Sequence, residues 1–148
     1  MKSDTRQSLP VLAYHGSDKR FTKFEHTYCW GFHFGNVEVA RHVASSSGGF
    51  VRGFHLSFRN LVRLPDLCEW LYDDVVAALR QTKVIDRKTV GLWQNSGHMV
   101  DLAHELAVRG FDGVVYRNDY EGSASDSFIA FSNQQIHPVT PWQRWDKA

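Results

Sequence analysis

A chain of 148 residues is the size of one domain and is long enough to bury a substantial core. Hydrophobic residues make up 43% of the chain and charged residues 22%, which is ordinary for a globular protein and argues against wholesale disorder. The formal net charge is only +1 and no basic run occurs, so the electrostatic footprint of a nucleic-acid-binding protein is missing.

Redox and targeting signals predict a cytoplasmic protein. The two cysteines, Cys29 and Cys68, form no CxxC pair, which predicts reduced thiols rather than a disulfide framework. No apolar run is long enough to span a bilayer, and the first ten residues lack the apolar segment of a signal peptide. We therefore expect no membrane partner, and a location in the cytoplasm of the producing cell or of an infected or target cell.

The first half of the chain predicts two strands around one helix. In chain order we expect a loose polar arm at 1–9, a strand at 11–14, a loop over 16–30, a helix from Val37 to about Ala44, a turn at 45–49 and a strand over 50–58. Asn36 is the expected N-cap of the helix, because its side chain can accept a hydrogen bond from the first turn. The strand over 50–58 follows from the alternation of "FVRGFHLSF".

The second half predicts two longer helices and three strands. These are a helix from about Asp66, a helix from about Gly97 to Arg109, strands at 113–117 and 127–132, and a short strand within "QQIHPV". Asn95 or Ser96 is the expected N-cap of the helix from about Gly97, and Gly110 is its expected stop. An apolar stripe at helical spacing supports the first helix, namely Leu67, Trp70, Leu71, Val75, Ala78 and Leu79. Because the strand–loop–strand segment over 113–132 is not a βαβ unit, the pattern favours a single α+β domain over 10–148 with mainly antiparallel pairing.

Several common chemistries lack their motifs. His104 and Glu105 begin an HExxH pattern, but Val108 stands where its second histidine would be, so the sequence predicts no metal site. No G-x-S-x-G elbow, no Gly-rich dinucleotide fingerprint and no P-loop occurs. A hydrolase triad, a Rossmann cofactor site and a nucleotide-binding P-loop are therefore not expected.

Three segments remain, and their order forms a pattern. They are "YHGS" at 14–17 at a strand end, "WGFHFG" at 30–35 before a helix, and the acidic loop "NDYEGSASD" at 118–126 before "FIAF". From Val11 to about Val139 this order resembles the ADP-ribosyltransferase superfamily of the diphtheria-toxin and poly(ADP-ribose) polymerase type, whose His-Tyr-Glu signature is spread over three strands. The ending "GFDGVVYRNDYEGSASDSFIAFSNQQI" is similar to that of small phage and bacterial members, including phage anti-CRISPR ADP-ribosyltransferases.

The resemblance implies a split antiparallel two-sheet core with flanking helices, and transfer of ADP-ribose from NAD+ without a metal. His33 stands where the family has tyrosine, and Ser127 stands where the polymerases have glutamate. One of three nearby carboxylates would then serve in catalysis: Glu121 is the first choice, with Asp119 and Asp126 as alternatives. The residues implied to hold NAD+ are Tyr14, His15, Gly16, Ser17, His33, Phe34 and His42.

The chemistry of these residue types agrees with the implied roles. Cleavage of the nicotinamide–ribose bond passes through an oxocarbenium-like state, which a carboxylate stabilises. His15 can hydrogen-bond a ribose hydroxyl and is counted with the catalytic residues, while Gly16 leaves its backbone open to the nicotinamide carboxamide. His33 and Phe34 would form the wall of the nicotinamide slot, and His33 or His42 could stack on the ring.

The acceptor is not specified by the sequence. A macromolecule is the expected acceptor, with a host protein before a nucleic acid, as for a toxin, an effector or a phage counter-defence protein. A small molecule such as a rifamycin antibiotic is the alternative acceptor. The same cleft would also suit a non-catalytic module that binds NAD+ or a protein.

Overall fold

The computed structural model describes residues 10–25, 30–119 and 125–145. The expected arm at 1–9 and the first-choice carboxylate Glu121 lie outside these ranges. Within them the helices are α1 (Val37–Ser47), α2 (Tyr72–Gln81), α3 (Arg87–Gln94) and α4 (Leu102–Val108). The strands are β1 (Val11–Ser17), β2 (Phe32–Phe34), β3 (Phe50–Leu56), β4 (Leu61–Arg63), β5 (Gly113–Asn118), β6 (Ser125–Ala130), β7 (Ile136–Pro138) and β8 (Gln143–Arg144).

The described strands form two four-stranded sheets. In the first sheet the order is β1-β3-β7, and β8 also pairs with β3; in the second it is β2-β6-β5-β4. Every pairing is antiparallel except that of β4 with β5, which is parallel. The expected α+β class with mainly antiparallel pairing is confirmed, and the parallel β4–β5 pair departs from a fully antiparallel core.

The two sheets meet where β1 passes β2. Tyr14 and Gly35 exchange backbone hydrogen bonds, with N–O distances of 2.7 Å from Tyr14 N and 3.0 Å from Gly35 N. An added Cβ on Gly35 would lie 2.9 Å from Ser127 Oγ and 2.8 Å from Val39 Cγ1. Glycine at this position therefore allows β1, β6 and α1 to approach the junction closely.

Helix α1 packs on β1 and is built as its sequence predicts. The Asn36 side chain accepts a hydrogen bond from Val39 N, which confirms the N-cap. The helix continues to Ser47, so the turn expected over 45–49 is wrong for its first three residues and begins at Gly48, which has a φ of 66°. The stop thus comes from the glycine that can adopt the left-handed conformation.

The helix expected from about Asp66 begins later, at Tyr72. Cys68 and Trp70 have φ angles of 61° and 55°, which no helical turn allows. Trp70 is buried nonetheless, whereas Leu71 is 56% exposed, so Leu71 does not belong to the apolar stripe. The chain between β4 and α2 is an irregular loop, and residues 65–70 of it are called the cleft loop below.

Two further helix boundaries differ from expectation. Helix α3 was not predicted from the sequence, although Asp86 caps it through Thr89 N in the usual way. The helix expected from about Gly97 begins at Leu102, where Asp101 rather than Asn95 or Ser96 is the N-cap. Its stop at Gly110, with a φ of 90°, is confirmed.

All five expected strands are present, because alternation is a local signal, but β2, β4 and β8 were not predicted from the sequence. Strand β1 extends to Ser17, β6 covers Ser125–Ala130 rather than 127–132, and the short strand within "QQIHPV" is present as β7. The largest core cluster joins α2 and α4 to β5 and β6, and a second, rich in phenylalanine, fills the space beside β1, β2 and β3. Among the described residues, no helix has both the length and the apolar character needed to cross a bilayer.

Gly16 tests the packing of α1 on β1. An added Cβ would lie 2.2 Å from the Ala40 carbonyl oxygen and 3.0 Å from Ala44 N, both of them backbone atoms that cannot turn away. We expect Gly16→Ala to lower the free energy of unfolding by about 1–3 kcal/mol, the usual cost of overpacking. Chemical denaturation of the purified variant measures this loss.

Gly91→Ala is the matched control. Gly91 lies within α3, and an added Cβ there meets no atom within 4 Å. Because alanine is the better helix former, this variant should be neutral or gain up to about 1 kcal/mol. Equal stability of Gly16→Ala and the wild type would contradict the close approach of α1 to β1.

Candidate functional site

A cleft opens at the junction of the two sheets. It has a volume of about 270 Å³ and lies between β1, β2, α1, the cleft loop and the ends of β5 and β6. Its polar and aromatic lining includes His15, His33, Phe34, Asp66, Trp70 and Tyr116. This central cleft brings together two of the three segments selected from the sequence, "YHGS" and "WGFHFG".

His15 is held in one tautomer by the neighbouring strand. Its Nδ1 lies 2.7 Å from the His33 carbonyl oxygen, and because a carbonyl can only accept, Nδ1 donates. The ring also packs against Phe24 and Phe34, with centroid distances of 5.0 Å and 5.4 Å. Burial lowers the pKa of His15, and the hydrogen bond to His33 offsets this only in part. The ring is therefore neutral and offers Nε2 as a hydrogen-bond acceptor.

His33 lies deeper against the second sheet. Its Nδ1 and the Tyr116 hydroxyl are hydrogen-bonded at 3.2 Å, and its ring meets Trp70 edge-on at 5.7 Å. Burial lowers the pKa of His33 to about 4, with a further decrease from His15 and a smaller opposing effect of Asp66. The His33 imidazole is thus uncharged at neutral pH, and Tyr116 places a phenol beside it.

Trp70 completes the aromatic wall and was assigned to the core of a helix by the sequence pattern. Its ring centroid lies 4.6 Å from that of Tyr116 and 6.2 Å from that of Trp30. Phe34, which the sequence selected, is 2% exposed and borders the same cleft. The cleft therefore has aromatic surfaces from β2, β5 and the cleft loop, as a flat ring ligand requires.

Two of the three selected carboxylates face away from the cleft. Asp126 makes a bidentate ion pair with Arg63, at 3.0 Å and 2.9 Å, and this hydrogen bonding lowers the pKa of Asp126. Its neighbour Ser127 points the other way, borders the cleft and accepts a hydrogen bond from Asn118 Nδ2 at 3.1 Å. Asp119 is exposed and pairs with Arg117 at 3.3 Å. The structure therefore does not bring Asp119 or Asp126 to the cleft.

The carboxylates that do line the cleft come from the cleft loop. Asp66 is half-buried and accepts hydrogen bonds from Cys68 N at 3.0 Å and from Asp119 N at 3.1 Å. Glu69 borders the same cleft and is exposed. Sequence reasoning missed both because the apolar stripe assigned this segment to a helix. The signal available was Pro65, which disfavours helical backbone in the residue before it and separates a strand from the acidic residues.

Three other selected residues have different surroundings from those expected. Gly16 borders the cleft, but the contact that requires glycine there is the Ala40 carbonyl of α1. Ser17 Oγ accepts a hydrogen bond from Lys19 N at 3.2 Å and does not line the cleft. His42 is exposed on α1, whose cleft-facing residues are Val39, Ala40 and Val43. Ser17 and His42 are therefore not brought to the site.

A second cavity, called the basic cavity below, adjoins the central cleft. It has a volume of about 660 Å³ and shares His15 and His33 with the cleft. Lys19, Arg20 and Lys23 line it together with Glu25, which is the one carboxylate that the described residues contribute to the lining. No ion pair among the described residues involves these three cations. The two imidazoles thus separate a small aromatic cleft from a larger cationic one.

Within 10–25, 30–119 and 125–145, no three His, Cys, Asp or Glu side chains come together as a group that could hold a metal ion.

The low pKa of His33 predicts how stability depends on pH. Between the usual pKa of 6.5 and about 4, the unfolded chain binds a proton that the folded His33 does not. Stability should therefore be lost as the pH falls through this window, by roughly 3 kcal/mol at about 1.4 kcal/mol per pKa unit. Denaturant unfolding from pH 7.5 to 4 measures this, and His33→Gln should flatten the profile. An NMR titration that places the His33 midpoint near 6.5 would contradict the proposed burial.

Comparisons with known proteins find no relative of this chain. No protein-family model matches it, and neither the curated proteins nor the solved structures contain a match. What the site can do must therefore be argued from the chemistry of the central cleft and the basic cavity.

Proposed function

We propose that the protein is an NAD+-dependent ADP-ribosyltransferase and that the central cleft with the basic cavity binds NAD+. The observation that carries the proposal is the His15–His33 pair, two neutral imidazoles at a sheet junction between an aromatic cleft and a cationic cavity. NAD+ has the matching halves, a flat nicotinamide ring on one side and an anionic pyrophosphate on the other.

The split two-sheet architecture of ADP-ribosyltransferases is part of the same proposal. Two antiparallel strands from different sheets diverge at Tyr14 and Gly35, and the cleft lies where they part. The phenol that the family carries on the second strand is replaced by His33, but Tyr116 of β5 supplies a hydroxyl 3.2 Å from it. This arrangement supports the architecture without depending on any single signature residue.

Size and charge favour one placement of the dinucleotide. At about 270 Å³ the central cleft is smaller than the ~300–1,000 Å³ of cavities that enclose drug-sized ligands, so it suits only the nicotinamide riboside half. That half would lie against Trp70 and His33, with a ribose hydroxyl donating to Nε2 of His15. The pyrophosphate would then lie in the basic cavity near Lys19 and Lys23, where charge-assisted hydrogen bonds are available.

The proposed reaction breaks the bond between C1′ of the ribose and N1 of nicotinamide. The bonding electrons leave with nicotinamide, which becomes neutral, and positive charge develops on the ribose. A nucleophilic atom of the acceptor attacks C1′ and loses its proton, which leaves ADP-ribose attached to the acceptor. The neutral state of His33 suits this step, because a charged imidazole would repel both the nicotinamide cation and the developing oxocarbenium ion.

Asp66 is the proposed stabilising carboxylate among the described residues. It is the half-buried acid of the central cleft, whereas Glu69 is exposed and Asp119 and Asp126 face away. Two backbone N–H groups donate hydrogen bonds to the Asp66 carboxylate and hold it in place. Glu121, the first choice from the sequence, is the alternative for the same role.

A non-catalytic NAD+-binding module is the second candidate function. It is favoured by Ser127, which occupies the position of the polymerase glutamate and is engaged with Asn118 inside the cleft. Both candidates share the NAD+ site and differ only in whether nicotinamide is released.

Binding of NAD+ should stabilise the fold. A ligand that binds only the native state adds about 2.7 kcal/mol at a hundredfold excess over its dissociation constant, so the melting temperature should rise in millimolar NAD+. His15→Ala should weaken this stabilisation, because it removes the proposed ribose acceptor. His137→Ala, at an exposed histidine on β7, is the matched control and should respond as the wild type does. A wild-type melt that NAD+ leaves unchanged would rule out the site.

Carboxylate variants separate catalysis from binding. We expect Asp66→Asn to bind NAD+ but to release nicotinamide at least ~100-fold more slowly, as for removal of an aimed electrostatic stabiliser. Glu69→Gln should be milder, and Glu121→Gln is measured in parallel. If Glu121→Gln is the inactive variant and Asp66→Asn is not, Asp66 only holds the cleft loop. If the wild type binds NAD+ without releasing nicotinamide, the second candidate function is correct.

A further inference from the structure

The two sides of the central cleft carry opposite charge. Among the described residues, the basic cavity on the side of His15 is lined by three cations and one carboxylate. On the side of Trp70, the described lining of two grooves contains three carboxylates, Asp73, Asp74 and Asp101, and one cation, Arg80. The cleft mouth adds Asp66 and Glu69 to this second side, and its lining within the described part of the chain includes no lysine or arginine.

The two acidic grooves run on from the central cleft. The first, of about 670 Å³, shares Trp70 with the cleft and continues over Trp30 and Tyr72. The second, of about 910 Å³, shares Tyr72 and Met99 with the first and reaches α3. Together they are called the acidic groove below. A ligand in it can therefore reach from α3 to the wall of the proposed nicotinamide site.

The lining of the acidic groove includes exposed apolar side chains and one tryptophan whose N–H has no hydrogen-bond acceptor among the described residues. Met99 is 71% exposed and Leu71 is 56% exposed, so both apolar side chains are accessible to a ligand in the groove. Trp30 Nε1 is buried, and among the described residues nothing accepts its hydrogen bond. A buried donor of this kind costs free energy unless a bound partner supplies an acceptor.

We propose that the acidic groove binds a basic, partly apolar segment of an acceptor protein and presents it to the cleft. This inference rests on the proposed transferase function, for which it names the acceptor class. Cationic side chains of the segment pair with Asp73, Asp74 and Asp101, and its apolar side chains cover Met99 and Leu71.

Charge argues for a protein acceptor over a nucleic acid. Binding to a nucleic acid depends mainly on lysine and arginine contacts with phosphate, and the acidic groove has the opposite sign. Lys19, Arg20 and Lys23 lie on the other side, in the basic cavity that is proposed to hold the pyrophosphate. The host-protein acceptor expected from the family resemblance therefore agrees with the charge of the surface beside the cleft.

Peptide binding tests the groove without requiring turnover. The probes are two fluorescein-labelled twelve-residue peptides, one alternating arginine with leucine and the other alternating glutamate with leucine, and the measurement is fluorescence anisotropy with and without NAD+. We expect the arginine peptide alone to bind, with an affinity that falls as salt rises. The double variant Asp73→Asn with Asp74→Asn should weaken it by about three- to tenfold, since each exposed charge contributes little singly.

Matched controls separate the groove from overall charge. Asp18→Asn with Glu38→Gln also removes two exposed carboxylates, one of them in the first turn of α1, and should bind the arginine peptide as the wild type does. Met99→Lys keeps the fold at an exposed position but places a cation in the groove, and should weaken binding. Melting temperatures of all variants, taken without ligand, identify any that fail to fold.

The outcomes distinguish the two proposals. The groove proposal is wrong if the arginine peptide binds no better than the glutamate peptide, or if both double variants bind it equally. It is also wrong if labelled NAD+ modifies single-stranded DNA but not arginine-rich histones at the same concentration. Failure of the transferase proposal appears separately, as no release of nicotinamide from NAD+ by a chain that still binds the arginine peptide through Asp73 and Asp74.

Discussion

The exchange of backbone hydrogen bonds between Tyr14 and Gly35 is the constraint on which the site depends. It holds β1 of one sheet against the strand end of the other, and both sheets diverge from this point. His15, the next residue, then reaches the His33 carbonyl at 2.7 Å. Because the junction is made of backbone atoms and a glycine with no room for a Cβ, the two imidazoles have one relative position.

Burial at this junction determines what the imidazoles can do. Both rings lie among aromatic side chains, which lower the pKa of each below its usual value. A neutral histidine can accept a hydrogen bond but does not add positive charge next to a cationic substrate. The same burial costs stability at low pH, so the property that suits the proposed chemistry also limits the pH range of the fold.

The sequence predicted what depends on local signals. The Asn36 cap and the stop at Gly110 are each contained within a few residues, and each was found. The alternation over 50–58 was found as a strand over 50–56. "YHGS" and "WGFHFG" lie at one cleft because backbone hydrogen bonds join Tyr14 to Gly35. The fold class followed from local signals, and about half of the site residues implied by the family resemblance line the cleft.

The sequence could not show in which direction a side chain points, because that direction depends on packing between residues that are far apart in the sequence. Asp126 was selected for its closeness to the "FIAF" strand, but β6 turns it toward Arg63 and turns Ser127 into the cleft. Asp66 was not selected because it lies in a segment whose apolar residues have helical spacing. That spacing is real from Tyr72 onward, but Trp70 adopts a φ of 55° to pack against Tyr116, a residue far away in sequence.

The position of Trp70 explains why one irregular loop matters for both proposals. A helix begun at Asp66 would have continued the regular surface of α2, whereas the irregular backbone places the Trp70 ring between the central cleft and the acidic groove. The cleft loop places Asp66 in the lining of the central cleft, and Leu71, the residue after the loop, is exposed beside the acidic groove. Non-helical backbone with positive φ costs free energy in non-glycine residues. The contacts of Trp70 with Tyr116 and Trp30 offset that cost, and they hold the indole ring where it borders both the central cleft and the acidic groove.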